Sequence, residues 1–276
     1  MPDWLRRLLA HPSGSVGCLL LAVALVLAVA GPSLAPFDPE TFHPRRRFEG
    51  PGLEFWLGTD QFGRDLLSRL LHGARSTILF GVIATAIGTS LGAAVGLASG
   101  YAGGLIDEAV MRIMDALLAI PSLLFSLLIV TVLGGSTVNA VAAVAVTIAP
   151  GMARIARSVT LSVKSRDFVA AAVARGESHA FTMFREVLPN VAAAVVVEAS
   201  IRVAFATMVG ATLSYLGLGA QPPASDWGLL IAEARPHMLR NAWLVIGPGL
   251  GIATITIGFN LFGDALRDAL NPRVGR

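Results

Sequence analysis

Long, predominantly apolar runs alternate along this chain with connections that carry most of its charge, and the runs set the architecture. Six of them, at 14–32, 77–99, 106–133, 134–156, 190–218 and 242–263, approach or exceed the roughly 18–20 apolar residues that cross a bilayer core. Backbone groups in hydrocarbon must find partners within their own segment, and none of the runs alternates like a barrel strand, so all six are expected to be helices. The pattern predicts an all-α integral membrane protein in two parts. Residues 1–75 hold the first span and a long outer loop, and residues 76–276 form a five-span core. In that loop Asp60 precedes Phe62, Leu66, Leu67, Leu70 and Leu71 at helical spacing, which predicts an amphipathic helix capped by Asp60 and lying on the outer surface.

Composition agrees with a chain solvated mainly by lipid: of 276 residues 54% are hydrophobic and 14% charged, against about 25% charged in soluble domains. The basic residues are spread along the chain, which argues against a nucleic-acid surface. Cys18 stands alone in an apolar run, so there is neither a disulfide framework nor a thiolate metal cluster. With the N-terminus inside, interior segments hold twelve basic residues and exterior segments eight, a bias that places both termini in the cytoplasm. Arg6-Arg7, the apolar run from Val16 and Ala28-Val29-Ala30 before Gly31 also outline a cleavable signal peptide. The run is taken as a retained span, and its removal would not change the side on which 167–190 lies.

Gly88, Gly92, Gly96 and Gly100 recur every fourth residue in the second run, a spacing that lets another helix approach closely. The stripe is expected to pack a helix of this chain or of its dimer. Pro121 and Pro150 lie inside spans and mark expected kinks. Arg112 and Asp115, with Asp107 and Glu108 just before them, are expected to make a salt-bridged end to the third span.

The segment 167–190, DFVAAAVARGESHAFTMFREVLPN, is a polar interruption expected to face the cytoplasm. Asp167 can cap a helix over 168–175, and Gly176 suits a left-handed stop. Ser178 can cap a second short helix carrying Phe181 and Phe184, which Pro189 ends by disfavouring helical geometry at Leu188. Two short helices meeting at a glycine make an angled knob. Apolar Phe168, Phe181 and Phe184 on it ask for a soluble partner rather than water.

This segment resembles the EAA loop of ATP-binding-cassette importer permeases, with Ala171, Ala172, Gly176, Leu188 and Pro189 in register and Ala170 where the family has Glu. LGTDQFGRD at 57–65, Tyr101-Ala-Gly-Gly with Asp107, Met111-Arg112-x-x-Asp115, SYLGLGAQPPASDWG at 214–228 and Asn271-Pro272-Arg273 are similar to the dipeptide, oligopeptide and nickel permeases. The resemblance implies a type I importer permease fold and a set of partners: a second permease, two cytoplasmic ATPases gripping the EAA loops, and a periplasmic or lipid-anchored binding protein. It also implies residence in a bacterial inner membrane. Asp167, Phe168, Ala171, Ala172, Gly176, Phe181, Leu188 and Pro189 are then the expected coupling residues. The chain itself cannot supply a P-loop lysine, since its only lysine, Lys164, precedes Ser165 without the required glycine. ATP and Mg2+ are therefore expected on the partners, with no cofactor and no metal in this chain.

Glu198 and Arg202 lie four apart in the fifth run, on one helix face. A lone charge at mid-membrane costs about 2.5–3.5 kcal/mol on insertion scales, so they are expected to pair or to face the translocation pathway. The five histidines fall in loops or at span edges, leaving no His base for an intramembrane protease and no His-Glu-x-x-His metal site. A secondary transporter using Glu198 is the nearer rival. Peptides are the expected cargo, with nickel or another small solute as alternatives.

Overall fold

The computed structural model describes residues 3–270. Among them the chain is helical without a strand, a single isolated bridge joining Thr59 to Asp65. The elements are α1 (Asp3–Ala10), α2 (Pro12–Leu34), α3 (Leu66–Ala102), α4 (Gly104–Leu118), α5 (Ser122–Leu133) and α6 (Thr137–Lys164). There follow α7 (Asp167–Ala174), α8 (His179–Tyr215), α9 (Trp227–Ala234) and α10 (Trp243–Leu270). Five of these are long and apolar enough to cross a membrane, and α4 with α5, apolar enough together, are bent by 90° at the break between them.

The glycine stripe explains the centre of the fold. A Cβ on Gly88 would lie 2.5 Å from the Ala145 carbonyl, one on Gly92 2.3 Å from Ala149, and one on Gly96 2.1 Å from Ala153. The four-residue step on α3 thus matches a four-residue step on α6, and the two backbones touch along it. Around this seam a single apolar cluster collects Phe80 and Leu97 of α3, Val130 of α5, Ile148 and Met152 of α6, Val169 of α7, and Val191 and Leu213 of α8. A second cluster joins Ala24 and Ala28 of α2 to Ile78, Trp227 and Ile255. α1, which the hydrophobic pattern did not reveal, seats buried Leu8 against Ala265, Leu266 and Ala269 of α10.

Several expectations are corrected. There is no separate amphipathic helix capped by Asp60 in the outer loop. The chain turns at Gly63, whose φ is +77°, and α3 starts at Leu66 with Asp65 as its cap, accepting from the Ser68 amide at 2.8 Å. The Asp60 carboxylate is engaged by Arg64 and Arg69. α3 runs 37 residues, about 55 Å at 1.5 Å per residue, well beyond the roughly 30 Å of a hydrocarbon core. The third span is not one helix from 106 to 133, because Pro121 disfavours helical geometry at Ile120 and removes a donor. α6 reaches Lys164, two turns beyond the expected end at 156, because Arg157 and Lys164 find polar partners there. Asn271, Pro272 and Arg273 lie outside the described residues.

Candidate functional site

α7 leaves the C-terminal end of α6 after a two-residue break, and its sequence dictates both its faces. Val169 and Ala172, three apart, are buried; Phe168, Ala171 and Val173 are exposed. Asp167 does not act as the cap: it is the first helical residue, and Arg166 precedes it without a side-chain cap bond. The helix stops where Gly176 takes φ +80° with open space where a Cβ would be, so backbone conformation, not contact, calls for glycine. The Glu177 amide returns to the Ala172 carbonyl at 3.2 Å and the Gly176 amide to Val173 at 2.9 Å, which satisfies the frayed end.

Ser178 then accepts from the Phe181 amide at 3.2 Å and opens α8. Pro189 does not end that helix. Thr182–Val187 forms a π turn, Leu188 remains α-helical, and the Leu188 amide reaches back to Met183. The wider turn accommodates a proline that lacks an N–H for the preceding turn. The second arm of the elbow is therefore continuous with the fifth span. Phe181 and Phe184 are exposed on it at 40% and 57%, as are Phe168 at 38% and Val173 at 54% on α7, large apolar side chains left open at the elbow.

The elbow is tied to the α3 terminus. The Lys164 ammonium donates to the Tyr101 carbonyl at 2.5 Å and lies 5.1 Å from the centre of the Tyr101 ring. Tyr101 Oη is 3.5 Å from His179 Nδ1. Ala170, at the position where Glu was expected from the resemblance, lines a groove of about 590 Å3 with Tyr101, Lys164, Val173 and His179. Just beyond, Arg157 clasps Asp107 through two bonds of 2.7 and 2.5 Å, and Arg154 pairs with Asp115. The acids at the start of the third span thus bridge to α6 rather than to Arg112, which forms none of the salt bridges among the described residues.

Glu198 and Arg202 pair at 3.1 Å, with 23% and 31% of their side chains exposed. The guanidinium rests over Gly151, where a Cβ would meet it at 3.4 Å. Glu198 also borders a cavity of about 430 Å3 with Asn190 and Arg267, between α6, α8 and α10. No group of three His, Cys, Asp or Glu able to hold a metal occurs among the described residues.

On the opposite side the structure joins two stretches whose paired residues lie 164 and 169 positions apart in the sequence. Asp60 receives Arg64 at 2.6 Å and Arg69 at 2.9 Å, and Glu233 of α9 receives the same two arginines at 3.0 and 2.9 Å. These two arginines and Asp60 are at most 4% exposed. Asp226 caps α9 through the Gly228 and Leu229 amides and accepts from Thr77 at 3.0 Å. Burial pushes its carboxyl above the ordinary value, against hydrogen bonds from Ser214, Leu229, Thr77 and Gly228 that pull it back. The Trp227 indole donates to the Leu70 carbonyl at 2.9 Å. No local signal links 57–69 to 226–233, so single-sequence reasoning missed this knot.

With this geometry in view, similarity to known proteins is informative. Residues 88–276 match the family described as binding-protein-dependent transport system inner membrane component. Residues 2–51 match the N-terminal TM domain of oligopeptide transport permease C. The di/tripeptide transport system permease protein of Pseudomonas aeruginosa is 40% identical over 272 residues, covering 96% of this chain and 90% of that protein. A probable D,D-dipeptide transport system permease protein of Escherichia coli is 37% identical, covering 99% and 91%. A glutathione transport system permease protein of Shigella flexneri is 39% identical, covering 99% and 90%. In fold, the chain is similar to a chain of the inward-facing MetNI methionine ABC transporter, with a TM-score of 0.59 at 17% identity, over 74% of this chain and 97% of that one. A matched core of 189 residues and full-length relatives at this identity decide the matter: the chain belongs to the family of binding-protein-dependent transport system inner membrane components.

Proposed function

We propose that this chain is a permease subunit of an ATP-driven importer for di- and oligopeptides. It pairs with a second, homologous permease, takes substrate from a periplasmic or lipid-anchored binding protein, and is moved by two cytoplasmic ATPases that grip 167–190. ATP and Mg2+ belong to those ATPases, and this subunit performs no hydrolysis. The observation that carries the reading is the elbow around Gly176. It presents Phe168, Val173, Phe181 and Phe184 outward while Val169 lies in the same apolar cluster as the membrane core. A face built to bind on one side and anchored to the spans on the other can transmit a partner's motion. ATP's unequal affinity for two ATPase arrangements then biases which way the pathway opens. Peptide cargo is supported by relatives named for dipeptides, D,D-dipeptides and glutathione.

Glu198 and Arg202 are assigned to the border of the pathway, because this partly exposed ion pair lies within a long apolar helix and its Glu198 lines a cavity with Asn190 and Arg267. The whole reading is tested by reconstituting the complex in vesicles. Dipeptide uptake is expected to require ATP and to stop when the ATPases are disabled. Uptake that survives their loss but collapses with the proton gradient would replace this reading with ion-coupled transport.

A further inference from the structure

Two opposite charges border one cavity without pairing. Glu198 of α8 and Arg267 of α10 both line the space of about 430 Å3 between α6, α8 and α10, yet the Glu198 carboxylate pairs with Arg202. Only one of its oxygens is engaged, Oε1 by Arg202 Nε at 3.1 Å. A carboxylate accepts several donors, so the second oxygen is open to another. The Arg202 guanidinium rests over Gly151 of α6 and is not part of the cavity wall. Arg267 forms none of the salt bridges among the described residues, although Asp264 and Asp268 share its helix.

Helix packing brings the two charges to one depth. A Cβ on Gly263 of α10 would meet Ser200 and Ile201 of α8, while Val197 packs against the cluster of Ala265, Leu266 and Ala269. The two helices are therefore antiparallel, and Arg267, one turn past Gly263, stands across from the turn that carries Glu198. Ile155, Val159 and Val197 supply apolar wall, and Asn190 closes the far end of the same stretch of α8. From Asn190 to Glu198 that stretch measures about 12 Å at 1.5 Å per residue. An extended di- or tripeptide reaches about 7–10 Å, and the cavity volume lies in the usual range for small-molecule sites.

The charge pattern selects among occupants. An anion alone is repelled by Glu198, a cation alone by Arg267, and an uncharged apolar molecule leaves both without a partner. A molecule with an ammonium at one end and a carboxylate at the other satisfies both through charged hydrogen bonds. We propose that this cavity is a peptide subsite of the pathway, in which Glu198 holds the ammonium end of a di- or tripeptide and Arg267 its carboxylate end. The proposal rests on the peptide-importer reading above and gives the substrate a place of contact in this chain. Gripping the chain ends leaves the peptide's side chains to apolar wall, which suits a path shared by many sequences.

The test uses the complete permease–ATPase complex in phosphatidylcholine nanodiscs without binding protein, so that the membrane subunits alone meet the probe. The probe is alanyl-photoleucine, a dipeptide with a diazirine side chain, supplied as the free acid, as its C-terminal amide and in N-acetylated form. Adducts of the free acid are expected on the segments 155–159, 190–198 or 267–270. Arg267→Gln is expected to lower that yield about tenfold, as loss of one hydrogen bond between charged groups does, and to leave the yield of the amide unchanged. Arg267→Lys is expected to keep most of the free-acid yield. Glu198→Gln is expected to lower the yield of the free dipeptide and to spare the N-acetylated form. Adducts confined to other segments, or an equal fall for free acid and amide in Arg267→Gln, would overturn the subsite. Replacing phosphatidylcholine by phosphatidylethanolamine is expected to leave the yield unchanged. A fall to background there would assign the cavity to the ammonium and phosphate of a lipid headgroup, and the peptide subsite would be wrong. Absence of ATP-dependent dipeptide import by the wild-type complex supplied with its binding protein instead overturns the reading on which the subsite stands.

Discussion

At Gly176 a single backbone angle shapes the elbow on which the proposed coupling role rests. At φ +80° an L side chain costs about 1–2 kcal/mol, and proline cannot adopt the angle at all. Gly176→Ala is expected to slow ATP-driven uptake with little loss of inserted protein, and Gly176→Pro to abolish it, as read by uptake against membrane-fraction abundance. Arg202→Leu removes the partner of Glu198 and is expected to impair uptake more than assembly with the other subunits, measured by co-purification. Unchanged uptake would remove this pair from the pathway. Gly176 and Ser178 were legible in the sequence because each acts on its neighbours through local geometry. Asp60 was misread because its partners, Arg69 and Glu233, are fixed by the tertiary fold, and a capping rule sees only the next few residues.

Helices inherit both their reliability and their errors from the same source. Hydropathy pointed to each of the five long apolar helices and to the bent pair α4–α5 because apolar runs are a local signal, and the four-residue glycine step reappears as the α3–α6 seam. Helix ends were less legible: α6 continues to Lys164 for partners on α3 and α4, and α3 begins early because Asp65 caps it. Two consequences can be measured. Gly92→Leu must push α3 from α6, since even a Cβ would sit 2.3 Å from the Ala149 carbonyl. A loss of about 1–3 kcal/mol is expected from overpacking, visible as a lower melting temperature of the purified complex. Asp60→Ala strands two buried arginines with only Glu233 between them and is expected to cost about 3–5 kcal/mol. A simultaneous apolar replacement of Asp60, Arg64, Arg69 and Glu233 is expected to recover much of it.

Taken together, the described chain has two differently built ends. One is a buried ionic knot that fastens the head of α3 to α9, and the other is an elbow with exposed apolar side chains and the Arg154–Asp115 and Arg157–Asp107 pairs near it. A rigid end and a yielding end suit a subunit held on one side and driven from the other. The most direct check is a single cysteine at Phe168→Cys, in a Cys18→Ser background, probed with a membrane-impermeant maleimide in oriented vesicles. Labelling is expected only from the cytoplasmic side, and the ATPases are expected to protect it when bound. Labelling from the outer side, or equal labelling with and without the ATPases, would contradict the account.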